Sequence, residues 1–179
     1  MRIVAGKHRG RVLSSPEDNA IRPTSDKVRL AVFNMLNSRS AVMDAIVLDA
    51  FCGTGALALE ALSQGAAQAV LIDQEKKSLD LAKRNAATLR EEKNCSFLLK
   101  DATKIGPRPS SQEAATLCFL DPPYRKEILP NVISYLKENN WLAKDCWIVA
   151  EMEAEYSLAG FSADAEKIYG ETKILIGRL

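Results

Sequence analysis

The chain has 179 residues, of which 47% are hydrophobic and 26% charged, and it carries a formal net charge of +1. This is the size and balance of one soluble globular domain with a sizeable apolar core. No apolar run nears the roughly 18 residues that span a bilayer, and "MRIVAGKHRGRVL" lacks the apolar core and cleavage site of a signal peptide, so a cytoplasmic location is expected.

The charge is unevenly spread. Residues 1–39 hold eight Lys/Arg against three Asp/Glu, whereas the remainder is mildly acidic. In "GKHRGR" the basic residues alternate with glycines, which reads as a flexible arm able to lie along phosphates. His8 is the only histidine, which argues against Ser-His-Asp catalysis. The four cysteines (Cys52, Cys95, Cys118 and Cys146) form no CxxC pair and no Cys/His cluster, so they read as reduced thiols, with no metal site.

In chain order, the short apolar runs 2–5 and 11–13 flank the basic arm as a small hairpin or extended segment. Thr24 or Ser25 caps a helix over about 25–38, in which Val28, Val32, Met35 and Leu36 recur at helical spacing. Then a regular alternation begins. "AIVLDAF" is a strand, "GALALEALSQG" a helix closed by Gly65, "AQAVLID" a strand, and about 75–90 a helix. "CSFLLKDA" and "ATLCFLD" are strands separated by a Pro/Ser-rich loop at 106–111. "KEILPNVISYLKENN" is a helix that Pro130 kinks near its start, and "CWIVAEME" a fifth strand. "EKIYG" and "TKILIGRL" close the chain as a strand pair around a Gly turn. Such alternation predicts a mostly parallel α/β sheet built from right-handed crossovers, with an antiparallel edge.

The stretch "VLDAFCGTGALALEA" carries the first chemistry. A strand ends at Asp49, Gly53 and Gly55 turn the backbone, and a helix follows; Gly53-x-Gly55-x-x-Ala58 fits the dinucleotide fingerprint. Alone, that match serves several nucleotide-like ligands. Asp73 ends the next strand, where a carboxylate can accept ribose hydroxyls, and Asp101 follows the third strand. With Asp121 they place acids at four strand ends, beside the crevice where open α/β sheets bind ligands. This much negative charge suits a cationic, amine-bearing nucleoside, S-adenosyl-L-methionine, better than a pyrophosphate.

"VLDAFCGTGALALEA", "LID", "KDA" and "LDPPY", in that order, resemble the motifs of class I methyltransferases that modify exocyclic amines. "MRIVAGKHRGRVL", "IRPTSDKVRLAVFNML" and "GALALEALSQGA" narrow the resemblance to the bacterial guanine-N2 methyltransferases of small-subunit (16S) ribosomal RNA, the RsmD-type enzymes. The resemblance covers nearly the whole chain. It implies an open seven-stranded, mostly parallel, Rossmann-like sheet with helices on both faces. It implies that Phe51, Gly53 and Gly55 wrap the methionine part of the cofactor with Asp49 beneath. Asp73 then takes the ribose, Asp101 and Ala102 read the adenine, and Asp121 to Tyr124 hold the target base.

An exocyclic amine is a poor nucleophile because its lone pair is delocalised into the ring. The Asp121 carboxylate and the Pro122 carbonyl, as acceptors on the amine hydrogens, help turn that lone pair outward and stabilise the developing charge. Consecutive prolines pre-aim the carbonyl, and Tyr124 offers a face for a flipped base. Lys7, Arg9, Arg11, Arg22, Arg29 and Arg125 are the candidate RNA contacts, with Thr24 beside Arg22 at the site entrance and Lys126 beside Arg125. Residues 1–24 form a basic arm within the same domain as 25–179. The expected partner is small-subunit rRNA, within an assembled or assembling 30S particle, and the protein is expected to be a monomer. The competing readings are a DNA adenine-N6 methyltransferase, for which no recognition region is available, a NAD-binding oxidoreductase using the same glycine loop, and a non-enzymatic RNA-binding module.

Overall fold

The structure, a computed structural model, describes residues 1–15, 25–122 and 128–179. Met1–Leu13 folds back on itself: Arg2 bridges Val12, the Ile3 amide donates to the Arg11 carbonyl at 3.0 Å, and the tip is a single 3-10 turn at Gly6–His8. Ile3 and Leu13 from its two limbs are buried in the main core, so the hairpin is a packed part of the body rather than a flexible arm.

Helix α1 (Asp26–Asn37) begins at Ser25, whose hydroxyl accepts the Val28 amide at 3.3 Å. The sheet then builds by alternation: β1 (Ile46–Asp49), α2 (Ala56–Ser63), β2 (Gln68–Asp73), α3 (Lys76–Leu89), β3 (Cys95–Leu99), β4 (Ala115–Leu120), α4 (Leu129–Glu138) and β5 (Leu142–Glu153). A closing hairpin, β6 (Ala163–Tyr169) and β7 (Thr172–Arg178), turns at Gly170 in the left-handed region with φ +62°. Strand order is β3-β2-β1-β4-β5-β7-β6. The first five strands run parallel, and β7 lies antiparallel between β5 and β6.

Alternate residues of each central strand face opposite layers, as strand geometry requires. Val47, Leu71, Leu117, Phe119 and Val149 pack toward α1, α2 and α3 on one face, while Leu48, Ile72, Cys118, Leu120 and Ile148 pack toward α4 and Trp141 on the other. The crossovers leave β1 and β4 in opposite directions, so a crevice opens between their carboxyl ends.

Two local expectations need correction. Pro130 does not kink α4; it lies in the first helical turn, where its missing N–H forfeits no helical bond. Strand β5 begins earlier than "CWIVAEME": a register shift between Ala115 and Leu117 lets Leu142 pair with Ala115, and Asp145 takes φ +60° within the strand. The polar Lys144 and Asp145 confine the apolar strand signal to Cys146 onward, although the bulged segment before it already pairs. Among the described residues, no helix is long and apolar enough to cross a membrane, and no group of three or more His, Cys, Asp or Glu could hold a metal ion.

Candidate active site

Asp49 ends β1 with its side chain buried at the base of the crevice. Its Oδ2 accepts the Ala58 amide at 3.3 Å, from the first turn of α2. Its Oδ1 is buried with no hydrogen-bond partner among the described residues. Burial, reinforced by the nearby Asp73 and only partly opposed by the Ala58 amide, pushes this carboxyl up to about 7.

The turn after Asp49 is fixed by its neighbours. The Ala50 amide donates to the Phe119 carbonyl at 3.1 Å and the Cys52 amide to the Ile72 carbonyl at 2.9 Å, so β4 and β2 both hold the turn. Gly53 and Gly55 take φ +50° and +77°, a region costly for residues with a Cβ. A Cβ at Gly53 would meet nothing within 4 Å, whereas one at Gly55 would sit 3.0 Å from Leu71 Cδ2 and 3.1 Å from Ala82 Cβ. Gly55 therefore allows α2 to approach β2 and α3, and Gly53 lines open space. Half-buried Phe51 packs on the α4 side of the core.

Asp73, at the end of β2, braces the same turn: Oδ2 accepts the Gly53 amide at 2.9 Å and Oδ1 the Glu75 amide at 2.8 Å. Burial raises its carboxyl despite these two bonds. Asp101 caps the 3-10 turn Ala102–Lys104, its Oδ1 accepting from the Thr103 amide at 2.9 Å and hydroxyl at 2.7 Å, and Ala102 is buried beneath. Asp121 follows β4 directly, and Pro122 is buried. Burial above all, then the charges of Glu151 and Asp49, hold the Asp121 carboxyl well above the usual range. Tyr124, Arg125, Lys126, Arg22 and Thr24 lie outside the described residues.

The basic candidates separate into two groups. Arg9 and Arg11 are exposed on the hairpin, and exposed Lys7 donates to Glu91 Oε1 at 2.7 Å. Arg29 is corrected: it is wholly buried, with Nε donating to Glu60 Oε2 at 3.3 Å and Nη2 donating to Asp26 and to the Arg2 carbonyl. Its guanidinium therefore ties α1 to α2 and the hairpin, and no phosphate can reach it.

Four polar residues escaped the sequence reading. Glu60 accepts the Val4 amide at 2.8 Å and the Ala5 amide at 2.9 Å, which seats the hairpin on α2. Glu91 holds the tip through Lys7 and His8. Asn85 bonds main chain at Ser14 and Thr54. Glu151 lines a cleft with Asp121, Leu57, Leu120 and Ile174. Only Glu151 left a signal, an acid closing the apolar run "CWIVAEME" that extends the strand-end pattern to a fifth strand. Glu60 and Asn85 sit at helical positions, and Glu91 in the turn after α3, where a charge or amide reads as surface.

The strand order, the antiparallel β7 and the acid-lined glycine turn together define a class I methyltransferase fold. A solved RNA methyltransferase from Salinibacter ruber, in complex with S-adenosyl-L-homocysteine, shares that fold at a TM-score of 0.68 and 16% identity, over 87% of this chain and 92% of its own. A solved structure from Escherichia coli matches at a TM-score of 0.85 and 35% identity, over 99% of this chain and 97% of the other. Ribosomal RNA small subunit methyltransferase D of Escherichia coli K12 is 37% identical over 96% of this chain and 86% of its own length, and the Haemophilus influenzae protein of the same name is 32% identical over 88% and 81%. The family described as conserved hypothetical protein 95 matches residues 1–178, and the chain belongs to that family.

Proposed function

We propose that this protein transfers the methyl group of S-adenosyl-L-methionine to the exocyclic N2 amine of one guanine in small-subunit 16S rRNA. The observation that carries the reading is the pairing of two acids across the crevice: Asp49, with a buried oxygen lacking a partner, and Asp121, directly followed by Pro122. A buried carboxylate oxygen without a partner is costly, and a ligand ammonium satisfies it. The open space over Gly53 leaves room for the ligand's methionine part beside Phe51 and Gly55. Asp73 keeps lone pairs for ribose hydroxyls after bracing Gly53, and Asp101 with Ala102 borders the adenine.

When bound, S-adenosylmethionine supplies an electrophilic methyl on a sulfonium. The chain's own residues prepare the nucleophile. The Asp121 carboxylate and Pro122 carbonyl accept the two N2 hydrogens and draw the lone pair out of the ring. Fixed acceptors of this kind contribute a few kcal/mol each. The proton that the methylated amine sheds passes by way of Asp121 to water. Tyr124 stacks the flipped base, and Arg125 and Arg22 meet flanking phosphates.

Arg9, Arg11 and Lys7 on the exposed hairpin supply salt-dependent contacts to the rRNA backbone. Residues 1–24 act as a basic extension of the 25–179 domain. The substrate is read as rRNA within an assembled or assembling 30S particle, approached by a monomer in the cytoplasm, because one small domain has little surface for reading RNA shape. A NAD-binding oxidoreductase is disfavoured by the acid load, and a DNA adenine methyltransferase by the likeness to proteins named as ribosomal RNA methyltransferases. The test uses small subunits from a strain lacking the enzyme, incubated with the protein and methyl-labelled cofactor. Label mapped to one guanine N2 supports the reading; label on adenine, or only on protein, refutes it.

A further inference from the structure

Glu151 lies near the end of β5, and the chemistry above gives it no role. Strands β4 and β5 run parallel and pair Leu120 with Ala150, so Asp121 and Glu151 come next on neighbouring strands and turn to the same face. On its other side Glu151 pairs with Ile174 of β7. The two acids line one cleft, walled by the apolar side chains of Val32, Leu57 and Ile174. Glu151 is only 9% exposed. Burial first, and the Glu151 charge next, raise the Asp121 carboxyl, so the two acids stand close enough to interact. The glycine turn and the acids of β1 and β2 lie on the opposite side of β4. A base that presents its amine to Asp121, with the cofactor on that side, therefore has the β5 side left for the rest of its edge.

A carboxylate in an apolar cleft calls for a donor. Exocyclic amines differ in what stands beside them on the ring. Guanine N2 is flanked by the N1–H donor and the N3 acceptor. Adenine N6 and cytosine N4 have a ring-nitrogen acceptor on one side and carbon on the other. Of the three, guanine alone sets a donor next to the reacting amine, and a flipped base is read along this Watson–Crick edge. We propose that Glu151 is the residue that selects guanine: its carboxylate accepts N1–H while Asp121 and the Pro122 carbonyl accept the two N2 hydrogens. A carboxylate offers about four lone-pair sites, so Glu151 can hold a protein partner and still accept N1–H. Adenine or cytosine would turn a ring lone pair toward the buried carboxylate, which repels it. The inference deepens the methyltransferase reading and rests on it.

The experiment compares single-turnover methyl transfer to small subunits reconstituted with rRNA that carries either guanine or 2-aminopurine at the methylated position. 2-Aminopurine keeps the 2-amine but has a bare N1 acceptor. The wild type should favour guanine by about 10²-fold or more, because a site built around a buried polar group rejects a ligand that leaves it unpaired. Glu151→Gln can turn an amide N–H toward the bare N1, so the preference should fall at least about tenfold, with faster transfer to 2-aminopurine than the wild type gives. Comparing the two enzymes cancels the intrinsic difference between the two amines. Glu151→Asp draws the carboxylate back by one methylene and should also lower the preference, and it decides the matter if Glu151→Gln does not fold. A merely structural Glu151 would slow transfer to both bases alike and leave their ratio intact, which overturns the proposal, as does a wild type that treats the two bases equally. Absence of any transfer by the wild type to the guanine-bearing subunits would instead strike the methyltransferase reading itself.

Discussion

Arg29 and Glu60 form an ion pair in which both side chains are wholly buried, Nε to Oε2 at 3.3 Å. The pair joins α1 to α2, and Glu60 at the same time carries the hairpin amides of Val4 and Ala5. Removing one partner leaves a buried charge uncompensated. Arg29→Met should therefore cost about 3–5 kcal/mol of stability, read by denaturant unfolding. The folded fraction should keep the wild-type salt dependence of RNA binding, and a lower slope would return Arg29 to the RNA face.

Arg9 and Arg11 make the opposite case. Both are exposed, so Arg9→Ala with Arg11→Ala should leave the unfolding midpoint close to that of the wild type. Each lost phosphate contact should lower the slope of log K against log salt by roughly 0.7–0.9. An unchanged slope would remove the hairpin from the rRNA interface.

The two turn glycines should fail differently. Gly55→Ala places a Cβ 3.0 Å from Leu71 Cδ2 at φ +77° and should cost about 1–3 kcal/mol of stability. Gly53→Ala meets no atom within 4 Å, so its stability cost is the backbone term alone, about 1–2 kcal/mol. Its Cβ enters the space assigned to the cofactor, and S-adenosylhomocysteine affinity measured by calorimetry should fall more than tenfold. Equal binding losses in both variants would contradict that placement.

Asp49 predicts a pH signature. Its carboxyl stands near 7 in the fold against an ordinary value of 3.8, so across that window the unfolded chain binds fewer protons than the folded one. The stabilisation is present in full below the lower value and is lost as pH rises through the upper one. Asp49→Asn should flatten the stability profile of the ligand-free protein across this range by on the order of a few kcal/mol. A ligand ammonium favours the ionised acid, so S-adenosylhomocysteine should bind more weakly as pH falls below about 7, with proton release on binding near that pH. Calorimetry in buffers of different ionisation heat checks both.

Asp121→Asn should lower single-turnover methyl transfer by about 10²–10³-fold while leaving S-adenosylhomocysteine affinity within a few-fold. Because burial disfavours the charged carboxyl, the amide should melt no lower than the wild type. Full activity in this variant would exclude Asp121 from the amine site.

The sheet was legible in the sequence because its signals are local. Apolar runs such as "AVLID" and "TLCFL" end on acids, with helices of regular spacing between them, and Gly53 and Gly55 mark a turn few other residues tolerate. The seating of the hairpin was not legible. It depends on Glu60 reaching Val4 and Ala5 and on Arg29 reaching Glu60, contacts between residues far apart in sequence, and an arginine on an amphipathic helix reads as surface until its partner is known. The alternation of glycine with basic residues in "GKHRGR" signified flexibility by composition. In the fold, Gly6 is instead the residue that lets the hairpin touch α2: a Cβ there would stand 1.9 Å from the Ser63 carbonyl oxygen.

The four free thiols lie on four different segments: Cys52 in the glycine turn, Cys95 in β3, Cys118 in β4 and Cys146 in β5. Burial pushes Cys95 and Cys146 up to about 12, and it raises Cys52 and Cys118 well above the usual thiol range. Thiolate, the reactive form, is therefore scarce while the fold is closed. Alkylation of each thiol becomes a clock for the opening of its own segment, read by mass spectrometry without any introduced label. The Cys52 clock should slow when the cofactor turn is occupied, while that of Cys146 keeps its own time.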